Sequence, residues 1–93
     1  MRTIRQDMID ILARGEYTAR DLSQMLRLRE KDVYDHLVHI SRSLSSRKLK
    51  LTVVPARCLH CSYVFESRNR FTKPGRCPRC RGEHIEDPRY RVE

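Results

Sequence analysis

The chain has 93 residues, 39% of them hydrophobic and none of them Trp, so it makes one compact domain or two very small ones and excludes a large enzyme with a deep pocket. Twenty Lys and Arg oppose twelve Asp and Glu, a formal +8 that points toward a polyanion such as nucleic acid, the plainer reading being solubility alone. A core this small is commonly stapled, and four cysteines are present.

Thr3 followed by Gln6 fits a capping box, and Ile4, Met8, Ile11 and Leu12 recur at helical spacing until Gly15, which predicts a first helix over about 4–14. Thr18 with Asp21 repeats the signature ahead of a second, short stripe of Ala19, Leu22, Met25 and Leu26. Val33, Leu37, Ile40 and Leu44 mark a third and longest helix, expected to fray in the Ser41–Ser46 cluster. Lys48–Val54 then switches to period two, with Leu49, Leu51 and Val53 inward and Lys48, Lys50 and Thr52 outward. Three helices, two joined by a tight turn, followed by such a strand predict a winged helix-turn-helix over 1–54.

Pro55 interrupts the strand pattern, and turn residues at 67–70, Lys73-Pro74-Gly75, Arg81-Gly82 and Asp87-Pro88 then divide the chain into short hairpins. Residues 55–88 are expected to form a zinc ribbon with a core of Val64, Phe65, Phe71 and Ile85, with Tyr63–Glu66 as one of its strands. Arg89–Val92 alternates again, so 89–93 is expected to return and pair antiparallel with the wing strand. The expected fold class is therefore α+β, an N-terminal winged helix-turn-helix of three helices plus wing strands carrying a rubredoxin-like zinc ribbon.

Cys58-Leu59-His60-Cys61 and Cys77-Pro78-Arg79-Cys80 are two Cys-x-x-Cys turns with fifteen residues between them, the spacing of a zinc site. Two intervening residues let one tight turn aim both sulfurs at a tetrahedral centre, and a hairpin sets the second turn opposite the first. Cys58, Cys61, Cys77 and Cys80 are the expected ligands of one structural Zn2+. Iron fits the same four sulfurs and is the lesser alternative. A thioredoxin-like dithiol would want one such pair on a βαβ scaffold, which the pattern lacks. Four thiolates fill the tetrahedron and leave no position for an activated water, and no catalytic set or phosphate-cradling loop stands out, so no enzyme activity is expected. His60 and His84 are read as non-ligating.

No apolar run approaches the roughly 18 residues needed to cross a bilayer, and Met1-Arg2-Thr3-Ile4 opens into a polar segment without a signal-peptide core. A cytoplasmic, non-membrane protein is expected, and a reducing compartment favours metal ligation over disulfides. The charge is uneven. Residues 1–46 hold eight basic and seven acidic groups, whereas 47–93 hold twelve and five. That is +7 in the second half, or about +5 once four thiolates on a divalent ion add −2.

With Thr18-Ala19-Arg20-Asp21-Leu22, Asp32-Val33-Tyr34-Asp35-His36-Leu37, Pro55-Ala56-Arg57-Cys58 and the run from Phe71 to Cys80, the chain resembles small prokaryotic predicted transcriptional regulators that join a winged helix-turn-helix to a C-terminal zinc ribbon. The resemblance spans nearly the whole chain and implies DNA-binding transcription regulation. Zinc knuckles commonly place Gly after the second cysteine, but Ser62 and Arg81 stand there, with Gly82 one step later. Arg29 stands where a Ser or Thr cap usually starts a recognition helix.

Opposite the apolar stripe of the third helix lie Lys31, Asp35, Val38 and Arg42, with His39 beside them and Tyr34 on the flank. Lys31, Tyr34, Val38 and Arg42 are the expected nucleic-acid contacts of the helix, and Arg47, Lys48 and Lys50 those of the wing toward phosphates. Asp32 and Asp35 oppose phosphate and keep an alternative open, a protein-protein interaction module in a transcription or RNA-processing complex. A further alternative is an RNA-binding ribbon using Arg68, Arg70, Phe71 and Tyr63. Helix-turn-helix proteins commonly dimerise on paired half-sites, so a homodimer is a further expected partner.

Overall fold

Thr3 starts the first helix, α1 (Ile4–Arg14), with a complete capping box: its hydroxyl accepts from the Gln6 N–H at 3.2 Å while Gln6 Oε1 accepts from the Thr3 N–H at 2.8 Å. The structure, a computed structural model, describes residues 2–66 and 70–93. Thr18 and Asp21 form the same box, each bond 3.0 Å, at the start of α2 (Ala19–Leu26). Each box satisfies two of the amides a helix start leaves orphaned. Met8 and Leu12 of α1, with Ala19 and Leu22 of α2, are buried, whereas Ile4 and Met25 of the two expected stripes are exposed.

Arg29 gives the third helix, α3 (Glu30–Leu44), no side-chain cap; its guanidinium instead holds Asp32 at 3.1 Å. Val33, Leu37, Ile40 and Leu44 are all fully buried. α3 ends at Leu44, inside the Ser41–Ser46 cluster where it was expected to fray, but it closes in an ordered 3-10 turn, Ser45–Arg47. Ser41, Ser43, Ser45 and Ser46 each donate a hydroxyl hydrogen bond to the carbonyl three residues back, and buried Ile40 and Leu44 anchor the turn between them. No described helix is long and apolar enough to cross a membrane.

Four short strands follow: β1 (Leu51–Val54), β2 (Arg57–Cys58), β3 (Ile85–Glu86) and β4 (Arg89–Val92). The regular strand begins at Leu51, and backbone pairing at Lys50, which exchanges hydrogen bonds with Glu93 at 3.3 and 3.0 Å, rather than at Lys48, because Lys48 adopts φ 59° in closing the 3-10 turn. β1 pairs antiparallel with β4, from Leu51↔Val92 to Val54↔Arg89, and β2 with β3 through Arg57↔Glu86 and Cys58↔Ile85. Extending the first register places Pro55 opposite Pro88 and leads without a slip into the second. The two sheets are thus one hairpin interrupted where two facing residues lack an N–H. Tyr63–Glu66 forms no full strand beside them; it keeps one bridge, Arg57↔Val64.

Tyr90 ties the parts together. Its backbone exchanges hydrogen bonds with Tyr17, between α1 and α2, at 2.8 and 3.1 Å, so β4 is held on both edges. Its ring is fully buried among Met8, Leu12, Leu22, Leu37 and the rest of the helical core, and its hydroxyl donates to the Phe71 carbonyl. Phe71 sits edge-on to that ring, 6.1 Å between centroids, and so belongs to the helical core rather than the ribbon core where it was expected. The ribbon core is Ala56, Cys58, Cys77 and Ile85, with Tyr63 and Phe65 against it, and Val64 lies outside at 39% exposure.

Tyr90→Ala should therefore destabilise the protein by about 3–5 kcal/mol, the range for removing a buried aromatic. Tyr90→Phe should cost about 1–3 kcal/mol, because it leaves the Phe71 carbonyl without its donor. Urea denaturation checks both; equal stability of Tyr90→Phe and wild type would show that the carbonyl is otherwise satisfied.

Candidate metal centre and nucleic-acid face

The two Cys-x-x-Cys turns close in the same way. The Cys58 carbonyl accepts from the Ser62 N–H at 3.0 Å and the Cys58 N–H donates to Tyr63 O at 2.8 Å; Cys77 repeats this with Arg81 at 2.8 Å and Gly82 at 2.9 Å. Closing such a turn needs a left-handed residue, and Ser62 (φ 64°) and Arg81 (φ 62°) both take that conformation without being glycine. Gly82 is not at positive φ. A Cβ there would stand 3.3 Å from Cys80 Sγ and 3.4 Å from His60 Cδ2, so what Gly82 provides is room beside the sulfur.

All four Sγ atoms lie within 4.8 Å of one another, with Cys58 to Cys80 at 3.5 Å and Cys61 to Cys77 at 3.6 Å. A tetrahedron with Zn–S bonds of about 2.3 Å has edges of about 3.8 Å, so the sulfurs already stand at ligand separation. The cysteines are unbridged, Cys58 and Cys77 buried, Cys61 half-buried and Cys80 exposed. The His60 and His84 rings lie 6.1 Å apart, outside the four-sulfur cluster.

The residues expected to meet nucleic acid fall into two places. Tyr34, Val38 and Arg42 line one groove with Asp35 and Ser41 of α3 and with Arg70, Phe71 and Thr72 of the ribbon loop. Tyr34 and Val38 are half-buried there, and Lys31, Asp35, His39 and Arg42 are the exposed residues along that side of α3. Burial pushes the Tyr34 phenol pKa up, although the Lys73 backbone N–H donates to it. Arg47 lies elsewhere, beside Arg2, Gln6, Ile9 and Asp10 around α1, while Lys48 and Lys50 are exposed before β1. Phe71 and Tyr63 are engaged in packing, on Tyr90 and Phe65 respectively. Arg68, with Ser67 and Asn69 of the expected turn, lies outside the described residues.

Two family models cover the chain: "PF0610-like, N-terminal" matches residues 3–52, and the "PF0610 rubredoxin-like zinc beta-ribbon domain" matches residues 55–93. The chain belongs to the PF0610-like family. The solution NMR structure of protein PF0610 from Pyrococcus furiosus is similar at 31% identity and a TM-score of 0.82, over 97% of this chain and 88% of that one. A comparison with curated proteins gives no match.

This PF0610-like chain thus carries a rubredoxin-like zinc ribbon whose four cysteines fit one structural Zn2+. The thiols show why a cation belongs there. Backbone N–H groups, that of Cys61 first, bring the Cys58 thiol down to about 6. At Cys80 the Gly82 N–H pulls the same way, but neighbouring sulfurs, Cys58 foremost, and burial push it up to about 12. The Cys77 thiol is lowered, its own burial opposed by the Cys80 and Arg79 N–H groups, and that of Cys61 is raised, the Tyr63 N–H and the Cys80 sulfur being outweighed by burial and the Cys77 and Cys58 sulfurs. The cluster holds some thiolates readily and resists four; a divalent ion removes that resistance. Sequence reasoning missed Gly82's packing role and Thr72, and it named Arg70 only for an RNA-binding ribbon, not beside α3; glycine spacing alone signalled the first, and nothing local signalled the placement of the ribbon loop against α3.

Protein purified without chelator should hold one zinc per chain, and Cys77→Ser should lose it together with the order of the ribbon. Elemental analysis and amide exchange over 57–87 check this. In the metal-free chain Cys61 and Cys80 keep protons that the zinc-bound state lacks, so acidification must favour metal release. Zinc transfer to a chromophoric chelator should accelerate as pH falls; transfer independent of pH would show that no protons are displaced on binding.

Proposed function

We propose that the protein is a cytoplasmic, DNA-binding transcriptional regulator: α1–α3 act as a winged helix-turn-helix, β1 and β4 as the wing, and the zinc ribbon as a basic extension inserted in that wing. The observation that carries this reading is which cations lack partners. Lys31, Arg42, Arg47, Lys48 and Lys50 are exposed and form no ion pair among the described residues, a state they share with Arg14, Arg20, Arg27, Arg70, Arg79 and Arg81, whereas Arg29, Arg57, Lys73, Arg76, Arg89 and Arg91 each face a carboxylate. Cations left free at the end of α3 and before β1 suit phosphate contact, which positions a protein on DNA without reading its sequence. A second reading, a protein-binding face, is favoured by Asp35, an acid exposed in the middle of α3 with no cation paired to it among the described residues.

Duplex affinity should fall with salt on a log-log slope near −0.9 for each phosphate neutralised. Reversing charge at Lys48 and Lys50 together should weaken all duplexes about equally, while Lys31→Ala should change preference among duplexes more than strength. Fluorescence anisotropy against duplexes of different sequence measures both. Absence of duplex binding at low salt would overturn the DNA reading in favour of the protein-partner one.

A further inference from the structure

Between α3 and the ribbon loop runs a groove with Tyr34, Val38 and Arg42 on one wall and Arg70, Phe71 and Thr72 on the other. Arg42 and Arg70 are exposed on opposite walls, and neither is paired with a carboxylate among the described residues. Phe71 turns inward against Tyr90, so the ribbon wall offers a guanidinium rather than an open ring. Among the described residues, this is where the ribbon brings an unpaired cation beside the residues of α3 expected to meet nucleic acid. A helix lying in a major groove about 12 Å wide has a phosphate strand on each side. Arg70 stands alongside α3, where one of those strands runs.

The geometry points to this groove as the seat of one phosphodiester strand of duplex DNA, held by Arg42 from the helix and Arg70 from the ribbon. The inference rests on the duplex-binding reading and deepens it: the ribbon becomes part of the interface rather than a staple beside it. Two guanidiniums facing one groove suit a phosphodiester strand, whose phosphates are bidentate acceptors. Single-stranded RNA fits less well, because unpaired bases need free aromatic faces: Phe71 and Tyr63 are both engaged in packing, and half-buried Tyr34 is the one ring left on the described walls of the groove. Asp35, on the same groove and two turns before Arg42 on α3, repels phosphate and favours the Arg42 end of that wall.

The test uses full-length, zinc-loaded protein and duplex anisotropy across a salt series. Arg70→Gln should lower the salt slope by about 0.9 and the affinity about fivefold at roughly 0.15 M salt, and Arg42→Gln combined with it should lower the slope by about 1.8. Arg14→Gln, outside the groove, should leave the slope unchanged, and Asp35→Asn should tighten binding. Zinc content and melting temperature confirm that each variant is folded. If Arg70→Gln keeps the wild-type slope while charge reversal at Lys48 and Lys50 still weakens binding, the groove assignment fails and the duplex reading stands. If no duplex binds, both fail. Tighter binding of single-stranded RNA or an acidic peptide of equal charge, lost on Arg70→Gln, would overturn the assignment by giving the groove another occupant.

Discussion

Val53 can face Tyr90 only if residues 55–88 return the chain to the place it left, and those residues have little core of their own with which to do so. Ordering each residue costs about 1–2 kcal/mol of backbone entropy, while burying a side chain such as Ile85 returns about 1.5–3. Among the described residues the ribbon buries few apolar side chains, so the four-sulfur cluster has to close the loop. A structural zinc site supplies about 10–16 kcal/mol in small domains, enough to hold two turns opposite each other. The β1–β4 pairing, and with it the position of Tyr90 in the helical core, depends on that closure.

Dependence also runs the other way. The ribbon loop reaches back through Phe71, whose ring packs on Tyr90 and whose carbonyl accepts the Tyr90 hydroxyl. Lys73 pairs with Asp87 at 2.7 Å and so ties the same loop to the end of the ribbon. Arg89 and Arg91 meet Glu16 at 3.7 and 2.9 Å, which fastens β4 to the α1–α2 connection on the side where Tyr17 bridges it. These exposed pairs contribute little energy each. Their value is positional, since they fix which side of the ribbon faces α3.

Local chemistry was legible in the sequence, and long-range placement was less so. Thr3 with Gln6 and Thr18 with Asp21 announce helix starts because the capping bonds involve only neighbours in the chain. Cys58, Cys61, Cys77 and Cys80 announce a cluster because sulfur geometry restricts their spacing so tightly. Alternation over Leu51–Val54 and Arg89–Val92 predicts two strands, and Leu51, Val53, Tyr90 and Val92 are the residues that pack on the helical core. Three features escaped. Serine periodicity at 41–46 reads as a helix breaker, but these hydroxyls bond back to carbonyls while Ile40 and Leu44 hold the turn. Phe71 reads as a ribbon residue by its position, yet Tyr90 draws it into the other core. The facing of Pro55 and Pro88 emerges only from the pairing register.

The knuckles show how a strong local constraint sets a weaker one aside. A left-handed non-glycine residue costs about 1–2 kcal/mol, and the chain accepts that at both Ser62 and Arg81. The cost is small against metal ligation, so the turn keeps its shape with the residue it has. Glycine is spent instead at Gly82, where the limit is volume: any side chain there would press on Cys80 Sγ and His60. The result is that Arg81 can stand directly after a ligand and keep a positive charge next to a cluster that carries −2 when loaded. The same residue that strains the backbone therefore offsets part of the charge the cluster adds, and the ribbon keeps a net positive charge with the metal bound.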